Sequence, residues 1–205
     1  MLKTAHYFIF FFLLTISAGK ALGQNDFTQA IFHVKGDLNK DGRNDLVIVK
    51  ADTVDKHHQY LLEIFFANYD GKYTCVFRSQ NAIMPRFPKG DQQSELLLEQ
   101  LKITNGILIF TNQRIRGNMT HKFRYQNGNF ELIGYTERNA GTARTDCKDI
   151  NLSTGRKVVW QEPYDRDGKT SQMISFKKYK VLPKLQDFDP LTSSYLTIHG
   201  TRVEL

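Results

Sequence analysis

The sequence of this chain predicts an all-β (mainly β) protein, an antiparallel meander of hairpins forming a barrel-like or two-layer sheet. Short apolar segments, many of them β-branched, recur along the chain and are separated by Gly, Asn, Asp and Pro. Two of these separators are Asn-Gly pairs, at 105–106 and 127–128, which are the strongest short signal for a hairpin. A chain of 205 residues has the size of one domain.

The strands can be placed in order along the chain. Residues 46–49 and 60–67 read as buried strands, and a turn at 68–71 leads into a strand over 73–78. Four hairpins should follow, formed by 101–103 with 107–110, 122–125 with 130–133, 149–152 with 157–160, and 158–162 with 173–179.

Three segments interrupt or end this series of strands. The segment that precedes Gly36 is expected to be either a helical turn or an edge strand. Residues 81–93 form the longest irregular stretch. The residues after Val181 read as a loosely attached tail. We therefore expect a single β-rich domain over 24–182 and a C-terminal tail over 183–205.

The first 23 residues read as a secretory signal peptide. A lysine at position 3 precedes an apolar run over 7–14, and small residues follow at the positions that a signal peptidase reads. Cleavage is expected after Gly23, with Ala21 and Ala18 as alternatives. The apolar run is shorter than a membrane span, and no later segment is long and apolar enough to cross a bilayer. The mature protein is thus expected to be periplasmic or extracellular, without a transmembrane segment.

The charge of the chain does not indicate a nucleic-acid partner. Removal of Lys3 and Lys20 with the signal peptide lowers the formal net charge of +7 by two. The remaining basic residues are scattered among strands, whereas a nucleic-acid-binding protein concentrates them on one stripe or motif. A weak attraction to anionic polymers or lipid head groups is all that this charge supports.

The two cysteines, Cys75 and Cys147, leave two interpretations open. An even number of cysteines in an oxidising compartment favours a disulfide between them. The alternative is two free thiols that pack as small hydrophobic groups. Neither belongs to a Cys-x-x-Cys or Cys/His arrangement, so the sequence gives no support for redox catalysis or zinc.

The most informative segment is the Asp/Asn-rich loop over 37–45. Oxygen donors at alternate positions can point inward to one hard cation, and a glycine at 42 permits a sharp turn. Carboxylate and amide oxygens suit calcium better than a transition metal. The alternative is a turn that binds nothing and only supplies side-chain caps. The predicted ligands are Asp37, Asn39, Asp41, the backbone carbonyl of Arg43, and Asp45.

This spacing resembles the Asp-x-Asp-x-Asp-Gly-x-x-Asp loop of FG-GAP and VCBS-type repeats, the calcium-binding hairpins of integrin-like propellers. The twelfth position of the loop is Ile48, and a strand follows it, so the loop is not a complete EF-hand. The wider context is similar to small exported bacterial proteins with one such loop. The resemblance implies that the first, third, fifth and ninth positions and the seventh carbonyl hold calcium.

The function that follows from these observations is a non-enzymatic one. We expect an exported calcium-binding β-domain that serves in binding or in envelope structure. The sequence does not identify its partner, for which a glycan and an envelope protein are the candidates. The sequence contains neither a nucleophile elbow nor a His-Glu-x-x-His helix. The alternative is a hydrolase that acts on an envelope or extracellular glycan through acidic residues that the sequence does not single out.

Overall fold

The computed structural model of the chain describes residues 26–90, 95–190, 195–198 and 201–204, so the predicted signal peptide lies outside the described residues. The described residues form thirteen strands and one 3₁₀-helix, Leu185–Asp187. The strands are β1 (Gln29–Gly36), β2 (Asp45–Ala51), β3 (Tyr60–Ala67), β4 (Tyr73–Ser79), β5 (Leu97–Thr104), β6 (Ile107–Arg114), β7 (Gly117–Gln126), β8 (Asn129–Ala140), β9 (Arg144–Asn151), β10 (Arg156–Pro163), β11 (Thr170–Phe176), β12 (Tyr195–Ile198) and β13 (Thr201–Glu204).

These strands form two main antiparallel sheets in which every strand pairs with its neighbours in sequence. The first sheet has the order β1-β2-β3-β4, and the second runs from β5 to β11 in the same stepwise manner. Strands β12 and β13 pair with each other as a separate hairpin. The all-β, antiparallel prediction is therefore confirmed, and the sheets are not closed into a barrel.

The hydrophobic core is shared by the two sheets. In β2 and β3, alternate residues point inward, as Val49 does opposite Leu62. From the second sheet, Leu108 and Phe110 of β6 and Phe123 of β7 join the same cluster of buried side chains. Burial of one face of each sheet explains why buried positions alternate with more exposed ones in strands such as β7.

Both predicted Asn-Gly turns are present and connect the strands expected from the sequence. Asn105 and Gly106 join β5 to β6, and Asn127 and Gly128 join β7 to β8. Within each pair, asparagine has a φ of 53° and glycine a φ of 72°. These positive values are those of a type I′ turn, whose twist matches that of the flanking strands.

Two segments are more ordered than their composition predicts. In the irregular stretch, Ala82 and Ile83 are buried in the core. In the expected tail, the Leu132 N–H donates to the Pro183 carbonyl at 2.8 Å, and Leu185 and Phe188 are fully buried. The start of this segment therefore packs against the second sheet and is not loosely attached.

The two sheets approach each other most closely where β1 meets β5. A Cβ atom on Gly36, the last residue of β1, would lie 2.6 Å from Cγ2 of Ile103 in β5. Only glycine permits this approach, and it places the start of the acidic loop beside the second sheet. Within the described ranges, no helix combines the length and the apolar character needed to cross a membrane.

Candidate functional site

The acidic loop connects β1 to β2 at the junction of the two sheets. Gly36 and Asp45 face each other as the last register pair of these strands, so residues 37–44 form the loop itself. Two residues in the left-handed region tighten it, Lys40 with a φ of 63° and Gly42 with a φ of 84°. Leu38 points the other way and is fully buried, which fixes the loop to the core.

Three of the predicted ligands turn toward the inside of this loop. The Asp41 N–H lies 3.1 Å from Oδ1 of Asp37 and also 3.1 Å from Oδ1 of Asn39. The second carboxylate oxygen of Asp37 accepts from the Gly42 N–H at 2.9 Å. Asn39 in turn donates from Nδ2 to Oδ2 of Asp41 at 2.9 Å. The alternate positions of the sequence thus bring three side chains together, as their spacing predicts.

Asp45, the predicted ninth-position ligand, lies on the buried side of the loop. Its side chain is fully buried, and Oδ2 accepts from the N–H groups of Leu38 at 2.8 Å and Asn39 at 3.3 Å. Its Oδ1 accepts from the N–H of Ala67, at the end of β3, at 3.0 Å. Asp45 therefore joins both ends of the loop to a neighbouring strand, a role that its sequence position does not indicate.

The side chain of Arg43, predicted only as a carbonyl donor, closes the exposed side of the loop. Its guanidinium forms an ion pair with Asp41. Its Nε donates to the carbonyl oxygen of Ala67 at 2.9 Å, and its guanidinium carbon lies 3.8 Å from the ring centroid of Tyr69. The last contact is within cation–π range.

These contacts change the charge balance of the loop. Partial burial would raise the pKa of Asp41, but hydrogen bonds from the Arg43 backbone and Asn39 and the charge of Arg43 outweigh it and lower that pKa. A hydrogen bond with Tyr69 and the charge of Asp41 raise the pKa of Arg43. Hydrogen bonds, together with a cation of the protein itself, thus favour the ionised form of Asp41.

Among the described residues, no group of three or more His, Cys, Asp and Glu side chains is gathered to hold a metal ion. The loop contacts account for this. One inward donor is the amide of Asn39, Asp41 is paired with Arg43, and Asp45 is turned toward backbone N–H groups. The oxygen donors therefore stand at the predicted positions of the loop, but the most accessible carboxylate, that of Asp41, already forms an ion pair with the Arg43 guanidinium.

The two cysteines lie in different sheets. Cys75 is exposed on β4, and Cys147 is buried on β9 with Val158 and Trp160. Both thiols are free, so the bridge considered in the sequence analysis is not formed in this structure. Burial raises the pKa of Cys147, which makes its thiol unreactive.

A buried polar group lies on the inner face of the second sheet, at a position that no motif in the sequence marks. Asn112 is fully buried, and neither polar atom of its side chain has a hydrogen-bond partner in the described part of the chain. His121 lies nearby on β7, and burial lowers its pKa to about 3, so its ring is neutral. The inward positions of β6 change from apolar at Phe110 to polar at Asn112 and Arg114, a signal visible in the alternation.

No known protein family, curated protein or solved structure matches this chain.

Proposed function

We propose that this protein is an exported β-domain whose loop over 37–45 binds calcium, and that it serves in binding or in envelope structure. The observation that supports the calcium site is the convergence of Asp37, Asn39 and Asp41 from alternate positions of one tight loop. Hard oxygen donors in this arrangement suit calcium.

The donor set fits the ion in kind, since every predicted ligand is a hard oxygen atom. Asp37, Asn39 and Asp41 would hold it from one side, and the carbonyl of Arg43 and the carboxylate of Asp45 complete the predicted set. An ionised carboxylate has about four acceptor positions, and the three N–H groups at Asp45 leave one of them. Bound there, calcium would neutralise the loop carboxylates and hold the start of β2 against the end of β3.

The pKa values of three glutamates outside the loop favour a calcium-binding role over the hydrolase alternative. A glycoside hydrolase needs a carboxylic acid whose pKa is raised so that it can protonate the leaving group. Here, burial would raise the pKa of Glu63 and of Glu137, but basic partners lower both. The pKa of Glu162 is lowered to about 2 by hydrogen bonds from Arg138 and Trp160. These groups are suited to ion pairs and not to acid catalysis.

Calcium is expected to raise the melting temperature of the mature protein. An ion that binds only the folded state stabilises it by about 2.7 kcal/mol at 100 times its Kd. For a domain of this size, each kcal/mol corresponds to about 2 to 4 °C. Differential scanning calorimetry in calcium and in chelator measures the shift, and we expect Asp41→Ala to lose most of it.

The matched control for this substitution is Asp70→Ala. Asp70 is an exposed carboxylate in the β3–β4 turn, outside the loop, so its removal changes the net charge equally. Its variant should keep the full calcium shift. Coincident melting curves of the unmutated protein in calcium and in chelator, with no heat of binding at millimolar calcium, would contradict the calcium site.

Export is tested separately from calcium binding. Expression of the full chain in a bacterium with a secretion pathway should yield a protein that begins near Gln24, because the small residues at 21 and 23 fit a signal-peptidase site. Mass spectrometry of the envelope and culture fractions measures this N-terminus. Intact chain beginning at Met1, found only inside the cell, would contradict export.

A further inference from the structure

The side chain of Arg43 makes three contacts that hold it across the exposed side of the loop. Its guanidinium pairs with Asp41, its Nε donates to the Ala67 carbonyl at 2.9 Å, and its guanidinium carbon lies 3.8 Å from the centroid of the Tyr69 ring. Ala67 and Tyr69 belong to the end of β3 and to the following turn. Arg43 therefore connects the loop to the β3–β4 turn, as Asp45 does on the buried side.

We propose that the guanidinium of Arg43 is a built-in counter-ion of this loop, which calcium must displace from Asp41 in order to bind. The inference rests on the proposed calcium site and assigns a residue that sets its affinity. Arg43 then contributes to the site in two opposite ways, since its carbonyl is a predicted ligand and its side chain competes with the ion.

The competition follows from the charges at Asp41. A guanidinium and a divalent cation that both lie at contact distance from one carboxylate oxygen repel each other. The side chains of Arg43 and Asp41 lie at the surface, 27% and 24% exposed, so solvent weakens this repulsion without abolishing it. The hydrogen bond to Ala67 and the stacking on Tyr69 hold the guanidinium in place, which increases the free energy needed to displace it.

The same contacts predict how the loop behaves without calcium. Arg43 supplies positive charge to the carboxylates, so the loop keeps its fold in the absence of the ion. When calcium binds, the guanidinium leaves Asp41, and its contacts with Ala67 and Tyr69 are expected to loosen. The β3–β4 turn would thus respond to calcium although none of its residues is a predicted ligand.

Removal of the guanidinium is expected to strengthen calcium binding. Titration calorimetry of Arg43→Gln should give a Kd at least about fivefold lower than that of the unmutated protein, because the competing cation is gone. In chelator, the same variant should melt about 1 to 3 °C lower, because the loop loses its internal counter-ion. Tyr69→Ala, which removes the contacts of this side chain with the guanidinium, should move the Kd in the same direction by a smaller factor.

Lys40→Gln is the matched control for this experiment. It removes one positive charge from the same loop, but the Lys40 side chain lies toward Gly106 of the β5–β6 turn and not toward Asp41. Its Kd should change by less than about twofold. An equal gain in affinity in Lys40→Gln and Arg43→Gln would overturn the proposal, since it would show an effect of net charge alone.

The ¹⁵N–¹H resonance of Arg43 Nε provides a readout that does not depend on a variant. In the unmutated protein, addition of calcium should shift this resonance strongly, because its hydrogen bond to Ala67 changes. Calcium binding with an unchanged Arg43 Nε resonance would overturn the inference and leave the calcium site standing. A protein that binds no calcium, either unmutated or as Arg43→Gln, would overturn both.

Discussion

Replacement of Asp45 by alanine is expected to lower the free energy of unfolding by at least about 3 kcal/mol, because it leaves three N–H groups without their acceptor. The side chain of Asp45 is fully buried and accepts from Leu38, Asn39 and Ala67. At about 2 to 4 °C per kcal/mol, the melting temperature should fall by about 6 to 12 °C. Chemical denaturation in the presence of chelator measures this loss independently of calcium.

The same experiment on Asp41→Ala provides the comparison within the loop. The Asp41 carboxylate is partly exposed, and its ion pair with Arg43 lies at the surface, so its removal in chelator should cost much less than the removal of Asp45. Asp45→Asn keeps one acceptor oxygen and should lie between the two. Equal losses in Asp41→Ala and Asp45→Ala would show that the buried carboxylate is not the main support of the loop.

Acid is expected to destabilise the protein between about pH 4.5 and pH 2 through Glu137. Burial would raise the pKa of Glu137, but hydrogen bonds from Arg114 and Asn139 and the charge of Lys148 lower it from 4.5 to about 2. A pKa that is lower in the folded state contributes stability above the unfolded pKa, and this stability is lost as the pH falls through the folded pKa. The shift corresponds to about 3 kcal/mol at neutral pH.

Urea denaturation at a series of pH values measures this dependence. In Glu137→Gln, stability should be lower at pH 7 and its decrease between pH 4.5 and pH 2 should be smaller, since the titrating group has been removed. Glu95→Gln is the matched control, because the ion pair of Glu95 with Arg86 is exposed. Its pH profile should follow that of the unmutated protein, and identical profiles for Glu137→Gln would contradict the assignment.

The features of the fold that depend on neighbouring residues could be predicted from the sequence. The turns at 105–106 and 127–128 require positive φ at both central residues, and Asn-Gly is the pair that adopts it most easily. Since a tight turn places its two flanking segments beside each other, the hairpins and the antiparallel meander could be predicted from these turns. The inward convergence of Asp37, Asn39 and Asp41 was predictable for the same reason, because it arises within five residues.

Features that depend on distant parts of the chain could not be predicted in this way. The roles of Asp45 and Arg43 both arise from Ala67, which is 22 and 24 residues further along the chain. The packing of Phe188 against His121 and Phe123 depends on how the segment after β11 returns to the second sheet. No local pattern specifies which backbone groups or rings a folded chain brings together over such separations.

The stepwise order of the strands has a consequence for the folding of the chain. Every pairing within the two main sheets joins strands that follow each other in sequence, so the loops closed by these pairings are short. Short loops cost little entropy to close, and a low contact order is associated with fast folding for a β protein. Each sheet can therefore grow from its own hairpins. The approach of Gly36 to Ile103, which joins the sheets across nearly seventy residues, is expected to form late, after the transition state for either sheet.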